Sequence, residues 1–255
     1  LAHPLSFWKE HCDRLRLSLQ SFGWSEPDWS LVGQGSETIA KHYPVLRMTI
    51  FPDGREWITG RSLPSNLDQW QQAGIGAWVA PKERRRSLPG HKSGNYLACW
   101  LAGQQARSHG YQEAILTDHQ GNWLETSTGT LWAWADDCWW TPPLGALDPT
   151  QEQCREILPG VGRSHLIRVL KWHNIEVKEV IWNSDHVSQF ETLLYTNSVR
   201  HVVPIHHVLY KLENGQNEDG LDVPYEPKYE NGHTLTYHPH HPQSHKLKAL
   251  FSTQV

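Results

Sequence analysis

Large side chains in the first part of the chain follow two rhythms. Between Ser6 and Phe22, residues Phe7, Trp8, His11, Leu15, Leu19 and Phe22 recur at three- and four-residue steps, the spacing of one helix face, and Gly23 is placed to end that helix. The run Tyr43 to Phe51 (YPVLRMTIF) reads as a strand. The turn Pro52-Asp53-Gly54 and a second strand, Glu56 to Thr59, complete a predicted hairpin. Gly74 to Ala80 (GIGAWVA) is a further short apolar strand.

The pattern then changes to longer helices alternating with strands. A helix is predicted from Tyr96 to about His109, with Gly110 as its stop. Ala114 to Thr117 and Asn122 to Glu125 flank the turn-rich Asp118-His119-Gln120-Gly121, which predicts a second hairpin, and Thr130 to Ala135 continues as a strand. Pro142 and Pro143 break the chain, and Gly145 to Glu156 reads as a surface excursion. Gly160-Val161-Gly162-Arg163 opens a helix through Trp172. Strand patterns follow at Ile175 to Val180, Glu191 to Tyr195 and Val202 to Leu209. From Asn214 onward the chain is polar, rich in proline and histidine, and nearly aperiodic. No internal repeat is present.

Bulk properties narrow the class. The 255 residues suffice for one large domain or two modest ones. A net charge of -4 with 20% charged residues gives no basic footprint for nucleic acid. No apolar run approaches the roughly 20 residues of a membrane-spanning helix, so a soluble, cytoplasmic chain is expected. Cys12, Cys99, Cys138 and Cys154 form no CxxC pair, which indicates reduced thiols rather than a zinc site or a disulfide framework. Fourteen tryptophans are expected in core or interface positions. The chain opens at Leu1 without a methionine or a signal-peptide pattern, as a fragment or incomplete gene product would.

Several residues could carry chemistry. Lys92, beside the small residues Ser93 and Gly94, opens a helix; alone it reads as a solvated lysine. Glu125 alone reads as a surface carboxylate. Gly160-Val161-Gly162 before a helix is a fair anion site, because free N–H groups and the helix dipole favour phosphate there. The basic run Lys82-Glu83-Arg84-Arg85-Arg86 reads as a solvated linker, with arginines aimed at a substrate carboxylate as the sharper option. His233, His238, His240, His241 and His245 could bind zinc or nickel, but Pro239, Pro242 and the lack of cysteine partners favour a surface loop, so no metal is expected. A non-catalytic or metal-binding protein stays open as a reading of another class.

Order and spacing change those odds. The run KSGNYLACWLAGQQARSHGYQEAILTDHQGNWLETSTGTLWAW from Lys92, then Thr141-Pro142-Pro143, then Leu158-Pro159-Gly160-Val161-Gly162-Arg163, resembles the fold-type IV pyridoxal-phosphate enzymes. The likeness extends to His11-Cys12-Asp13-Arg14-Leu15 and to Asn197-Ser198 before Val203-Pro204-Ile205, roughly residues 5 to 210. That family includes branched-chain and D-amino-acid aminotransferases and 4-amino-4-deoxychorismate lyase. The resemblance implies a two-domain α/β fold, with a small N-terminal domain over residues 1–88, incomplete at its start, and a larger cofactor domain over 89–255 carrying a His/Pro-rich insertion near 214–245. It further implies a homodimer, a small-molecule amino substrate and pyridoxal 5'-phosphate as cofactor.

The resemblance also assigns roles. Lys92 would join the cofactor aldehyde as a Schiff base and then shuttle protons. Glu125 would keep the pyridine nitrogen protonated. Arg14, the backbone N–H groups of Val161 and Gly162, and the Ser198 hydroxyl would hold the phosphate. Arg47, Arg55 and Arg61 near the first hairpin are candidates for the substrate carboxylate. Three departures stand against these assignments. The lysine lies one residue closer to Tyr96 than in branched-chain aminotransferases, so Tyr96 is not expected to reach the cofactor's 3-hydroxyl. Thr130-Leu131-Trp132 replaces a common Asn-Leu-Phe. Only about a dozen residues precede Arg14, where relatives have strands that line the pocket. The compact chain and the lysine spacing incline the expectation toward the lyase, with an aminotransferase of branched-chain or D-amino acids as the other reaction.

Overall fold

A computed structural model describes residues 5–145, 156–210 and 233–253. Cys154, most of the expected surface excursion and the early part of the His/Pro-rich insertion lie outside the described residues. Helix α1 spans Trp8–Phe22; it starts two residues later than its periodicity predicts because Phe7 sits at φ 58, and Gly23 ends it at φ 64. Helix α2, Trp29–Ala40, is announced by no apolar periodicity, but Asp28 caps it by accepting from the N–H groups of Ser30 and Leu31. Strands β1 (Val45–Ile50) and β2 (Glu56–Arg61) form the predicted antiparallel hairpin, with Thr49 opposite Trp57. Leu19, Val32 and Ile50, backed by Trp8, Leu15, Met48 and Ile58, form a small core between the two helices and this hairpin.

The remaining elements in chain order are α3 (Leu67–Ala73), β3 (Ile75–Val79), α4 (Leu97–Ser108), β4 (Glu113–Thr117), β5 (Trp123–Thr126), β6 (Thr130–Ala135), β7 (Cys138–Thr141), α5 (Val161–Trp172), β8 (Val177–Glu179), α6 (Ser184–Gln189), β9 (Thr192–Asn197), β10 (His201–Tyr210), β11 (His233–Thr236) and α7 (Pro242–Phe251). Nine of the strands make one mixed sheet in the order β5-β4-β3-β10-β9-β6-β7-β8, with β11 added to β10. Strand β3, on the N-terminal side of the expected division at residue 88, is held between β10 and β4; four of its five residues are buried, as a central strand requires.

Strand alternation divides the core in two. Leu131 and Ala133 of β6 face a cluster with Ile75, Ile115, Leu193, Tyr195 and Ile205. Trp132 and Trp134 face the other way, onto Trp139, Leu166, Val169, Leu247 and Phe251 of the strands and of helices α5 and α7. At ~25 cal/mol per Å², a buried tryptophan of roughly 200 Å² contributes on the order of 5 kcal/mol before ordering entropy is charged against it. Helix α7 corrects the reading of the tail as polar and aperiodic. Pro242 opens the helix, the His241 ring accepts from Gln243 N–H, and Leu247, Leu250 and Phe251 are core residues. No helix among the described residues is long and apolar enough to cross a membrane.

Candidate active site

Three distant stretches of chain meet beside α1. His91 is pinned onto this helix: its Nδ1 lies 3.1 Å from Ser18 Oγ, its Nε2 lies 3.4 Å from Ser21 Oγ, and its ring sits 4.6 Å from that of Phe22. That anchor holds the next residue, Lys92, against the helix face that carries His11 and Arg14. Arg14 Nη1 in turn donates to the Pro159 carbonyl at 3.2 Å, which ties α1 to the turn that opens α5. The 197–200 turn between β9 and β10 closes the ring, with Ser198 Oγ 3.2 Å from His11 Nε2. Arg14, Ser198 and the start of α5 therefore come together beside α1, and the space among them is the candidate anion hollow.

The first turn of α5 offers N–H groups that an anion could use. Val161 and Gly162 are buried, and their N–H groups precede any intrahelical acceptor. Gly160 provides no side-chain cap. A Cβ on Gly160 would meet Thr130 Oγ1 at 2.8 Å, and one on Gly162 would meet the Phe251 ring at 3.0 Å, so glycine lets the turn lie close to its neighbours.

Glu125 is close enough to Lys92 to act on its charge. Antiparallel pairing with Leu116 on β4 and the Asp118-anchored turn fix its strand: Asp118 Oδ1 accepts from the N–H groups of Gln120 and Asn122 at 2.8 and 2.9 Å. Its Oε1 accepts from Arg86 Nε at 3.1 Å and its Oε2 from Leu158 N–H at 3.4 Å. Arg86 is buried, which overturns the solvated reading for the last member of the basic run. Charge balance explains why: a buried carboxylate needs a partner, and Arg86 provides one. Burial pushes the Glu125 carboxyl upward, while Arg86 pulls against it.

Lys92 is solvent-accessible yet surrounded by protein, as a side chain lining a cleft would be. Desolvation, then Arg14 and Arg86, draw its pKa down to about 8, and Glu125 acts in the opposite direction. Burial and Arg86 bring Arg14 to about 10, which leaves it charged at neutral pH. The group holds three cations, Arg14, Arg86 and Lys92, against the one carboxylate of Glu125. That excess of positive charge favours an anion in the group.

Of the residues singled out from sequence, Lys92, Arg14, Glu125, Val161, Gly162 and Ser198 are brought around this hollow. Arg47, Arg55 and Arg61 are not; all three are exposed on the β1–β2 hairpin, and Arg55 is paired with Asp53 at 2.7 Å. Tyr96 OH donates to the Ser127 carbonyl at 2.9 Å. Sequence reasoning missed Arg86 and gave His91 and His11 no role. A cavity of about 310 Å³ opens nearby between Arg85, His119, Leu124, Pro142 and Ile181, but none of Lys92, Arg14 or Glu125 lines it.

The class IV aminotransferase family model matches residues 2–208. The chain belongs to that family. The class IV chain is 28% identical to the branched-chain-amino-acid aminotransferase of Salmonella typhimurium over 142 residues, which cover 56% of this chain and 43% of that one. It is 25% identical to the Escherichia coli K12 branched-chain-amino-acid aminotransferase over 177 residues, covering 69% and 53%. The chain thus spans about half the length of the curated relatives it matches. Its fold matches a branched-chain aminotransferase from Thermoproteus uzoniensis (TM-score 0.69, 19% identity, 95% of this chain and 76% of that one). It also matches a protein provisionally named 4-amino-4-deoxychorismate lyase from Legionella pneumophila (TM-score 0.68, 18% identity, 95% and 83%).

Class IV enzymes depend on pyridoxal 5'-phosphate. The residues present fit that group: a buried, uncapped helix start with Arg14 and Ser198 beside it, an amine of lowered pKa, and a buried carboxylate coupled to that amine.

Proposed function

We propose that the chain uses pyridoxal 5'-phosphate to move an amino group between a small amino acid and a keto acid. Arg14, the Val161 and Gly162 N–H groups and Ser198 would hold the phosphate, and Lys92 would carry the aldehyde. When bound, the cofactor supplies an electron sink that makes the substrate's Cα–H bond acidic. Lys92, whose amine is easily neutral, would take and return the proton at Cα. Glu125, screened from water and steadied by Arg86, would face the pyridine nitrogen. The observation that carries this reading is the grouping of Lys92 with Arg14 and the Arg86–Glu125 pair, in which burial first and the two guanidiniums next lower the Lys92 pKa and Glu125 opposes them. Transfer rather than elimination is favoured by the sequence relatives, which are branched-chain-amino-acid aminotransferases.

Elimination from 4-amino-4-deoxychorismate, toward folate synthesis, is the second reading. It is favoured by the four-residue step from Lys92 to Tyr96 and by the compact chain. One experiment separates the two. Purified holoenzyme is offered branched-chain and D-amino acids with a keto-acid acceptor, and separately aminodeoxychorismate alone. New amino acid formed from the acceptor supports transfer; pyruvate released with no acceptor supports the lyase. Substrate carboxylates need cations, and Arg47, Arg55 and Arg61 remain candidates on the hairpin. A cytoplasmic homodimer is part of the same reading. Exposed Trp57, Leu97 and Trp100 suit a subunit contact, and light scattering in solution tests it.

A further inference from the structure

His11 stands between two side chains that border the anion hollow. Arg14 Nη2 lies 3.3 Å from His11 Nδ1, and Ser198 Oγ lies 3.2 Å from His11 Nε2. A guanidinium has donors and no acceptor. The Arg14 contact is therefore a hydrogen bond only if Nδ1 carries the lone pair, which places the ring proton on Nε2. Nε2–H then donates to Ser198 Oγ. The serine's own hydroxyl proton is left to point elsewhere, and the hollow edged by Arg14 and the first turn of α5 is beside it.

The surroundings keep His11 in that neutral form. Burial, Arg14 on its own helix and Lys92 from the neighbouring segment hold its pKa at about 4, against a smaller opposing pull from Glu10. A protonated ring would turn Nδ1 into a second donor facing the guanidinium and break the Arg14 contact.

We propose that His11 is a positioning residue, a relay of fixed polarity from Arg14 to Ser198 that commits the Ser198 hydroxyl to donating toward a bound phosphate monoester. This rests on the reading of the hollow as the cofactor's phosphate site. The relay gives His11 no direct ligand contact. Its effect is to convert a hydroxyl that can donate or accept into one aimed as a donor, which suits an acceptor-only phosphate.

The test joins an NMR measurement to a ligand comparison. In unliganded protein with ¹⁵N-labelled histidine, His11 is expected as the Nε2–H tautomer at neutral pH. Affinities for pyridoxal 5'-phosphate and for pyridoxal, the same aldehyde without phosphate, are then compared in wild type, His11→Phe and His11→Gln. His11→Phe should weaken the phosphorylated ligand on the order of tenfold and leave pyridoxal unchanged. His11→Gln, which can accept from Arg14 and donate to Ser198, should recover most of that loss. An Nδ1–H tautomer, an imidazolium, or equal weakening of both aldehydes overturns the relay. Failure of the cofactor reading shows itself separately, as wild type binding neither aldehyde. Inorganic phosphate then serves as the probe: a shift of the His11 ring signals supports the relay, and unmoved signals overturn it.

Discussion

Arg86 Nε donates to Glu125 Oε1 at 3.1 Å, and each side chain is only 4% exposed. Two ions removed from water this far hold each other in place, and deleting one strands the other. Arg86→Met is therefore expected to cost about 3–5 kcal/mol of stability. The double variant Arg86→Met, Glu125→Gln should recover a large part, because no unpaired charge is then left inside. Urea unfolding of the three proteins measures this. If Arg86→Met unfolds at the wild-type midpoint, the pair is not structural.

Glu125 also separates binding from chemistry. Its carboxylate bonds Arg86 and the Leu158 N–H rather than Arg14 or Ser198, and glutamine keeps an acceptor there, so Glu125→Gln should leave cofactor uptake within a few-fold of wild type. Loss of the negative charge beside the ring nitrogen weakens the electron sink, and kcat should fall on the order of a hundredfold. Spectroscopic titration with pyridoxal 5'-phosphate reads the first and steady-state kinetics the second. A variant that loses the cofactor altogether would place Glu125 in the binding cup instead.

Lys92 is expected to set a pH dependence of two kinds. Its amine must be neutral to attack an aldehyde, so cofactor uptake should quicken as pH rises toward about 8 and then level off. Stability responds with the opposite cost. The folded pKa of about 8 lies below the ordinary 10.5, so the penalty for charging Lys92 is complete below pH 8 and fades as pH rises to 10.5. Lys92→Met should thus unfold at higher urea than wild type at pH 7, with the gap closing near pH 10.5, while losing the cofactor's protein-linked visible absorbance. An unchanged spectrum in that variant would falsify the assignment of position 92.

How much of this was legible beforehand follows from the kind of signal each element emits. Helix α1, the β1–β2 hairpin, α4 and α5 carry apolar periods with glycine or turn residues at their ends, and each was predicted within a few residues. Helix α2 was missed because Gly33, Gln34 and Gly35 interrupt its apolar face; Asp28 was its one local sign. Helix α7 was missed because charged and histidine residues dilute a short stripe whose value lies in Leu247, Leu250 and Phe251 meeting distant tryptophans. At the site, Lys92, Glu125, Arg14, Val161, Gly162 and Ser198 were readable as ordered motifs. Arg86 was not, because a buried arginine inside a basic run has no local mark; its burial follows from a carboxylate 39 residues away. His91 acts through α1 contacts 70 and 73 residues distant, equally invisible to spacing.

Glu113, the first residue of β4, offers the last prediction. It is 1% exposed and gathers four donors. Oε1 accepts from Ser127 Oγ and from Ala114 N–H, while Oε2 accepts from Thr128 Oγ1 at 2.5 Å and Arg200 Nη1 at 3.4 Å. Arg200 Nη1 donates also to Tyr195 OH at 2.8 Å, and Tyr96 OH closes onto the Ser127 carbonyl. These bonds hold the loop that leaves β5 after Thr126, two residues from Glu125. Glu113→Leu fits the volume but leaves the donors unanswered, one of them charged, and is expected to cost about 3 kcal/mol or more. Glu113→Gln keeps an acceptor and should cost roughly half of that. Because the loop carries the Glu125 end of the site, the leucine variant should also bind pyridoxal 5'-phosphate more weakly, by about tenfold. Unfolding midpoints and cofactor titration, run on both variants, decide it. A leucine variant that is destabilised but binds the cofactor normally would confine Glu113 to the core and free the site from its influence.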